Sequence, residues 1–402
     1  MTDYSRQEAA ERAGVSLGEF SLLIGLGILT PAEGGRFTSG DIRKAELIQS
    51  LTAAGMPLED LAAAISRGDL ALDFVDQPAY ERFTALSDLT FAQVSAETGV
   101  PVELLMVIRE AEGGAPATPD DRVREGELEI APFVELQVKM GFHDTAIERL
   151  LRAFGDTMRR AAETESHWWR TEVMEPQLAA GKRASEIGVT ENDALMAKLS
   201  EEALISIFRA HQTHTWTANI IEGFETVLTQ SGTLPRLDRP PAMCFLDITG
   251  YTRLTQERGD KAAADLAEQL GLVVNRSTVQ HGGKPVKWLG DGVMCYFRDP
   301  GPGVLAALDM ASGVTDAGLP PAHVGLHAGP VVFQGGDYFG QTVNIASRIA
   351  EYARPGEVLV SQAVVEAAAA APIAFTDIGE VELKGVGGAM RLHSARHTTG
   401  AP

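Results

Sequence analysis

Two aspartates define the chemistry open to this chain. Asp247 closes the apolar run before the turn Thr249, Gly250, Tyr251, Thr252, and Asp291 sits within Gly290-Asp291-Gly292, between VKWL and VMCYF. Each puts a carboxylate at the end of a strand-like run, beside a glycine turn where a hard cation and its phosphate partner can approach backbone closely. Taken singly, GDG is a tight hairpin turn and Asp247 a polar strand end. Taken together they are enough for Mg²⁺, which takes one or two carboxylates and fills its remaining positions with phosphate oxygens and water. Three more groups follow in order: GLHAGP (Gly325 to Pro330), GDYFGQTVNIASR (Gly336 to Arg348) and ELKGV (Glu382 to Val386). The set points to metal-assisted displacement at a phosphate.

From roughly Pro241 to Arg396 these motifs resemble class III nucleotide cyclases. The resemblance implies in-line attack of a ribose 3′-hydroxyl on an α-phosphate, helped by two Mg²⁺ or Mn²⁺ ions per site. Asp247, the carbonyl of Ile248 and Asp291 would hold the metals, and the Thr249 to Thr252 turn would cradle triphosphate with backbone N–H groups. Lys287 and Asp337 occupy the base-reading positions. A Lys donor and a carboxylate acceptor match the ring nitrogen and exocyclic amine of adenine, so ATP is expected over GTP. Asn344 would orient the ribose. Arg348, one helical turn later, would stabilise charge on the α-phosphate, and Lys384 would reach the terminal phosphates. For Arg348 and Lys384 a solvated surface side chain is the simpler alternative. Family sites lie between two catalytic domains, which implies a homodimer whose metal aspartates come from one chain and Lys287, Asp337, Asn344 and Arg348 from the other.

One residue departs from the family pattern. Many cyclases carry Arg two residues before the glycine of the GLH-type strand, where this chain has His323. Either a phosphate contact is missing or it is pH-sensitive; an ordinary strand-end His is the third option. The short stretch from Pro330 to Asp337 resembles the compact class IIIc subgroup.

The elements that must position these residues alternate strand and helix. A strand near Ala242 to Thr249, a helix near Leu254 to Val279, the hairpin closed at Gly290 to Gly292, a helix near Val304 to Val314, a strand pair near Val324 to Phe333 and the NIASR helix follow one another. This is a ferredoxin-like α/β order. Upstream, the chain is rich in Ala, Leu and Glu without strand alternation, as an all-α domain is. The expected organisation is an all-α regulatory domain over 1–232, a linker over 233–241 and the catalytic domain over 242–396. The opening 1–75 resembles a MerR-type helix-turn-helix, and the whole upstream part resembles the helical autoregulatory modules of actinobacterial-type cyclases. Ala115 to Glu129 is expected to be a connector. Ile147, Leu150, Leu151, Phe154 and Met158 share a helical face, which reads as a core stripe or, alternatively, a pocket for a small apolar ligand. His211 and His214 share a face near Trp216, which offers pH-coupled control or simply two solvated histidines.

Composition narrows the partners. Residues 239–402 carry 13 Lys/Arg and 16 Asp/Glu, leaving 21 against 39 upstream, so most of the net charge of −21 is N-terminal. A surface this acidic repels nucleic acid, and the expected recognition helix, Leu17 to Ile24, has Glu19 and no Lys or Arg. No secretory signal opens the chain and no apolar run is long enough to span a bilayer, so a cytoplasmic protein is expected. Cys244 and Cys295 read as buried free thiols. The expected activity is conversion of ATP to 3′,5′-cyclic AMP and pyrophosphate; the rival is a catalytically silent nucleotide sensor on the same fold.

Overall fold

The computed structural model describes residues 4–32, 34–72, 75, 85–183, 186–187, 190–232, 240–251, 256–257, 259–368 and 371–398. The chain divides into two compact units, Met1–Thr226 and Val227–Pro402.

The first unit is mainly helical. Helices α1 (Arg6–Arg12), α2 (Leu17–Gly25) and α3 (Ser39–Ala53) each begin at a capping box, with Ser5, Ser16 and Thr38 as N-caps. With α4 (Leu58–Arg67) they enclose a core around Phe20 and Phe37, whose rings meet edge to face at 5.0 Å. A two-stranded ribbon adds to the expected helices, β1 (Leu86–Thr90) pairing antiparallel with β2 (Arg122–Arg124). Helices α5 (Phe91–Thr98), α6 (Val102–Ala111) and α7 (Glu125–Lys139) pack beside it.

The expected connector over Ala115 to Glu129 is therefore partly built structure. Its order comes from Glu127, only 1% exposed, which pairs with Arg109 at 2.6 Å and caps α7 by accepting the Arg124 N–H. Burying a carboxylate there requires such compensation, and a charge count along the sequence does not reveal it. On α8 (Asp144–Trp169) Ile147 and Leu151 are buried, whereas Leu150, Phe154 and Met158 are exposed, so only the first turns of the expected stripe serve the core. A short π-helical turn and α9 (Glu175–Ala179) follow. Helix α10 (Glu191–Gln230) leaves its apolar residues outward, with Ile207 and Phe224 exposed, and His211 and His214 lie in solvent on it.

The second unit is a seven-stranded sheet in the order β10-β11-β9-β6-β3-β5-β4. Its strands are β3 (Ala242–Ile248), β4 (Gly283–Leu289), β5 (Gly292–Phe297), β6 (Ala322–Ala328), β9 (Val358–Ser361), β10 (Ile373–Glu382) and β11 (Ala389–His397). All neighbours are antiparallel except β6 and β9, as a mixed sheet with helical crossovers requires. Helices α11 (Asp260–Gln280) and α12 (Pro300–Asp316) cover one face, burying Leu246, Val274, Val293, Met310 and Leu326. Between β6 and β9 come a separate hairpin, β7 (Val332–Gln334) with β8 (Asp337–Phe339), and α13 (Gln341–Tyr352); α14 (Gln362–Ala367) follows β9. Cys244 and Cys295 face each other in register on β3 and β5 as buried free thiols, and burial pushes the Cys295 thiol up to about 12.

Candidate active site

Sheet register brings the two aspartates together. Asp247, at the end of β3, stands opposite Gly292 on β5 and opposite His323 on β6. Asp291 closes the β4–β5 hairpin, and its carbonyl accepts the Ile248 N–H at 3.3 Å. Gly292 keeps the approach open, since a Cβ there would lie 3.0 Å from Asp247 Oδ1. Burial, and then the negative charge of Asp247, raise the Asp291 carboxyl above the usual range.

His323 belongs to this cluster. Its Nε2 lies 3.3 Å from Asp247 Oδ2 and its Nδ1 2.8 Å from the carbonyl of Ala350 on α13. Both ring nitrogens thus face acceptors, an arrangement that favours the imidazolium. The Asp247 hydrogen bond accordingly raises its pKa most, against the opposing effect of burial. An ordinary strand-end histidine would have no such pair of partners.

The donor set suits a hard divalent cation. Two carboxylates stand at adjoining strand ends, the charge of Asp247 raising the proton affinity of Asp291, and the side-chain oxygen of Thr249 is buried without a hydrogen-bond partner among the described residues. Among the described residues no group of three or more His, Cys, Asp or Glu side chains could hold a metal, which leaves a sparse oxygen set completed by substrate, as Mg²⁺ prefers. In the following turn the Thr249 N–H donates to Pro321, Gly250 adopts φ +77° and Tyr251 donates to the carbonyl of Ala263. Thr252 lies outside the described residues.

A second cluster gathers the base-side residues. Lys287 Nζ on β4 lies 3.0 Å from Asp337 Oδ2 at the start of β8. Asp337 is presented by a two-residue turn, Gly335-Gly336, in which both glycines have positive φ, a conformation glycine adopts at no steric cost. Its second oxygen accepts the Tyr338 N–H at 2.8 Å.

Asn344 and Arg348 both lie on α13, one turn apart. Asn344 is exposed, and the Arg348 guanidinium contacts both Glu351 oxygens at 2.6 Å. The helix is set by Gly325 on β6, where a Cβ would fall 2.1 Å from the Ala350 nitrogen, so strand and helix backbones touch only because no side chain intervenes. Lys384 occupies the exposed turn between β10 and β11.

Comparison with known proteins bears on the family of this unit. Residues 239–395 match the family model for the adenylate and guanylate cyclase catalytic domain. The pH-sensitive adenylate cyclase MT1302 of Mycobacterium tuberculosis is 28% identical over 319 residues, covering 76% of this chain and 77% of that protein. An adenylate cyclase of Streptomyces coelicolor is 26% identical over 276 residues, covering 68% of this chain and 70% of that protein. One from Streptomyces griseus is 27% identical over 216 residues, covering 54% and 52%. No helix among the described residues is long and apolar enough to cross a membrane. Residues 239–395 are therefore a class III adenylate and guanylate cyclase catalytic domain, carried by a chain that has actinobacterial adenylate cyclases among its relatives.

Proposed function

We propose that the chain is an adenylate cyclase that converts ATP to 3′,5′-cyclic AMP and pyrophosphate. The observation that carries this reading is the assembly, within one cyclase domain, of the Asp247–Asp291 carboxylate pair and the Lys287–Asp337 pair. The names of the mycobacterial and the two Streptomyces relatives, each an adenylate cyclase, support the same choice. A silent nucleotide sensor would be expected to lack one of these side chains.

Asp247, Asp291 and the Ile248 carbonyl are the groups that would hold Mg²⁺ or Mn²⁺, two ions per site. Bound there, the metals would supply activation of the 3′-hydroxyl and neutralisation of the leaving phosphates. Lys287 would give its hydrogen bond to an adenine ring nitrogen and Asp337 would accept from the exocyclic amine, each exchanging its present partner for the base. Asn344 would orient the ribose. Arg348 would leave Glu351 for the α-phosphate, and Lys384 together with the Gly250 and Tyr251 backbone would receive the triphosphate. Contrary to the sequence expectation, the Thr249 N–H is committed to the Pro321 carbonyl and is not counted among these donors.

A shared, twofold-symmetric pair of sites in a homodimer fits the surface chemistry. Trp288, Leu289, Val332, Phe333 and Phe339 are all large, apolar and exposed on the strands that carry the base-side residues. The helical first unit is proposed to regulate the second, by pH or an apolar ligand; the name of the mycobacterial relative favours pH. The MerR-like opening is read as packing, and DNA is not proposed as a partner.

The test is cyclic AMP formation from ATP by the purified full-length protein with Mg²⁺ or Mn²⁺, and its loss in Asp247→Ala and Asp291→Ala that retain the wild-type circular dichroism. Absence of product with either metal, or substantial metal-dependent activity in either variant, would overturn the assignment.

A further inference from the structure

The hairpin that carries Asp337 is not part of the main sheet. Among the described residues β7 and β8 pair with each other and with no strand of the main sheet, so no ladder there fixes them to the seven strands. Yet Asp337 has to stand within reach of Lys287 on edge strand β4 if the two are to read one base. Side chains must set that distance.

The side chain best placed to do so is Lys284. Its ammonium lies 5.6 Å from the ring centroid of Tyr296, 5.4 Å from Phe333 and 5.4 Å from Tyr338. These rings come from β5, β7 and β8, so one cation touches the edge of the sheet and both strands of the hairpin. The rings also pack on each other: Tyr296 and Tyr338 stack at 4.5 Å and 8°, and Phe333 meets Tyr338 at 5.0 Å and 55°. A cation over several ring faces is held by their quadrupoles, an electrostatic attraction that is lost when the charge is removed.

Strand register explains how Lys284 and Lys287 act on the same side. On β4, Lys284 pairs with Tyr296 and Lys287 with Met294, which are two residues apart on β5 and so share a face. Lysines three apart should face opposite ways; the register shift between Pro285 and Lys287 absorbs the extra residue and turns both to one face. Pro285, lacking an N–H, is tolerated at such a shift on an edge strand.

We propose that Lys284 is a specificity-positioning residue, whose ammonium, gathered by Tyr296, Phe333 and Tyr338, fixes the β7–β8 hairpin and so holds Asp337 where it can share a base with Lys287. The proposal rests on Lys287 and Asp337 being the base readers. In this role Lys284 acts through Asp337, the residue next to Tyr338, rather than on the base itself.

The experiment measures kcat/KM for ATP and for GTP in the full-length protein and in Lys284→Met, Lys284→Arg, Asp337→Ala and the Lys284→Met/Asp337→Ala double variant. Met keeps the length of the stem and removes the charge. The expected result is an ATP/GTP preference about threefold to tenfold lower in Lys284→Met, carried mainly by KM for ATP, and recovery to within about twofold of wild type in Lys284→Arg. In the Asp337→Ala background, Lys284→Met should change the preference by less than about twofold, because the residue it positions is gone. An unchanged preference in Lys284→Met, no recovery with Arg, or an undiminished effect in the double variant would overturn the proposal while Asp337→Ala still lowers the preference. If Asp337→Ala itself leaves the preference unchanged, the base-reading assignment fails and the proposal falls with it, a result distinct from the first three.

Discussion

Lys287 and Asp337, fifty residues apart in sequence, are joined by a 3.0 Å ion pair on the face of the catalytic unit that carries the hairpin β7–β8. A donor and an acceptor that complement adenine also complement each other, so under the proposed function the pair would exchange one charge-assisted contact for the base. Lys287→Glu would place two carboxylates together and remove the donor. The expected cost is about 2–4 kcal/mol in transition-state binding, a loss of roughly 30-fold or more in kcat/KM for ATP. Wild-type ATP use by the variant would put the base elsewhere.

Helix α13 depends on a missing side chain. Because a Cβ at Gly325 would lie 2.1 Å from the Ala350 nitrogen and 2.7 Å from its Cα, Gly325→Ala must push α13 away from β6. The helix carries Asn344 and Arg348, so the displacement should lower kcat more than it raises KM, alongside a stability loss of about 1–3 kcal/mol from overpacking. Steady-state kinetics and thermal melting read the two effects separately. Unchanged kcat with a lowered melting temperature would mean that α13 can shift without disturbing the site.

A half-buried histidine gives a pH test of stability. His327 on β6 has its Nδ1 2.8 Å from the Ser361 hydroxyl, and burial lowers its pKa to about 4. From about pH 6.5 down to pH 4 the unfolded chain takes up a proton that the folded chain refuses, so this group costs stability progressively as pH falls through that window and contributes nothing to the slope above it. His327→Gln removes the penalty. Relative to wild type, the variant should look worse at pH 7.5 than at pH 5, with the gap narrowing by about 1 kcal/mol in urea unfolding. A gap that stays constant with pH would mean that the fold does not hold His327 neutral.

The sequence carried the parts of the site that are local. Asp247 and Asp291 stand at turns flanked by apolar runs, and Asn344 and Arg348 are spaced by one helical turn, so their neighbours in space are set by secondary structure that a pattern can reveal. What escaped is what depends on register and tertiary packing. The shift between Pro285 and Lys287 turns Lys284 to the face of Lys287, against the simple alternation that a strand pattern assumes. His323 becomes part of the carboxylate cluster only because β3 and β6 pair with Asp247 opposite it. On α8, periodicity found Leu150, Phe154 and Met158 together with Ile147 and Leu151, but amphipathicity does not say how far along a helix its partners extend. In sequence Glu127 is one more acidic residue of a connector; its burial against Arg109 is a tertiary contact that no local pattern encodes.

The proposed division of each site between two chains gives the most discriminating test. An Asp247→Ala chain lacks a metal ligand but still supplies Arg348, while an Arg348→Ala chain has the opposite defect. In a mixed dimer one site is complete and the other carries both defects, so two inactive proteins should combine into an active one. With random exchange about half of the dimers are mixed and each has one working site of two, which predicts roughly a quarter of wild-type activity if the sites act independently. Asp247→Ala mixed with Asp291→Ala should rescue nothing, because Ile248 donates to the Asp291 carbonyl within one chain and both defects fall on the same side of the site. Cyclic AMP formation after verified subunit exchange is the measurement. Rescue in the second mixture, or none in the first, would show that the catalytic residues are not shared between chains in this way.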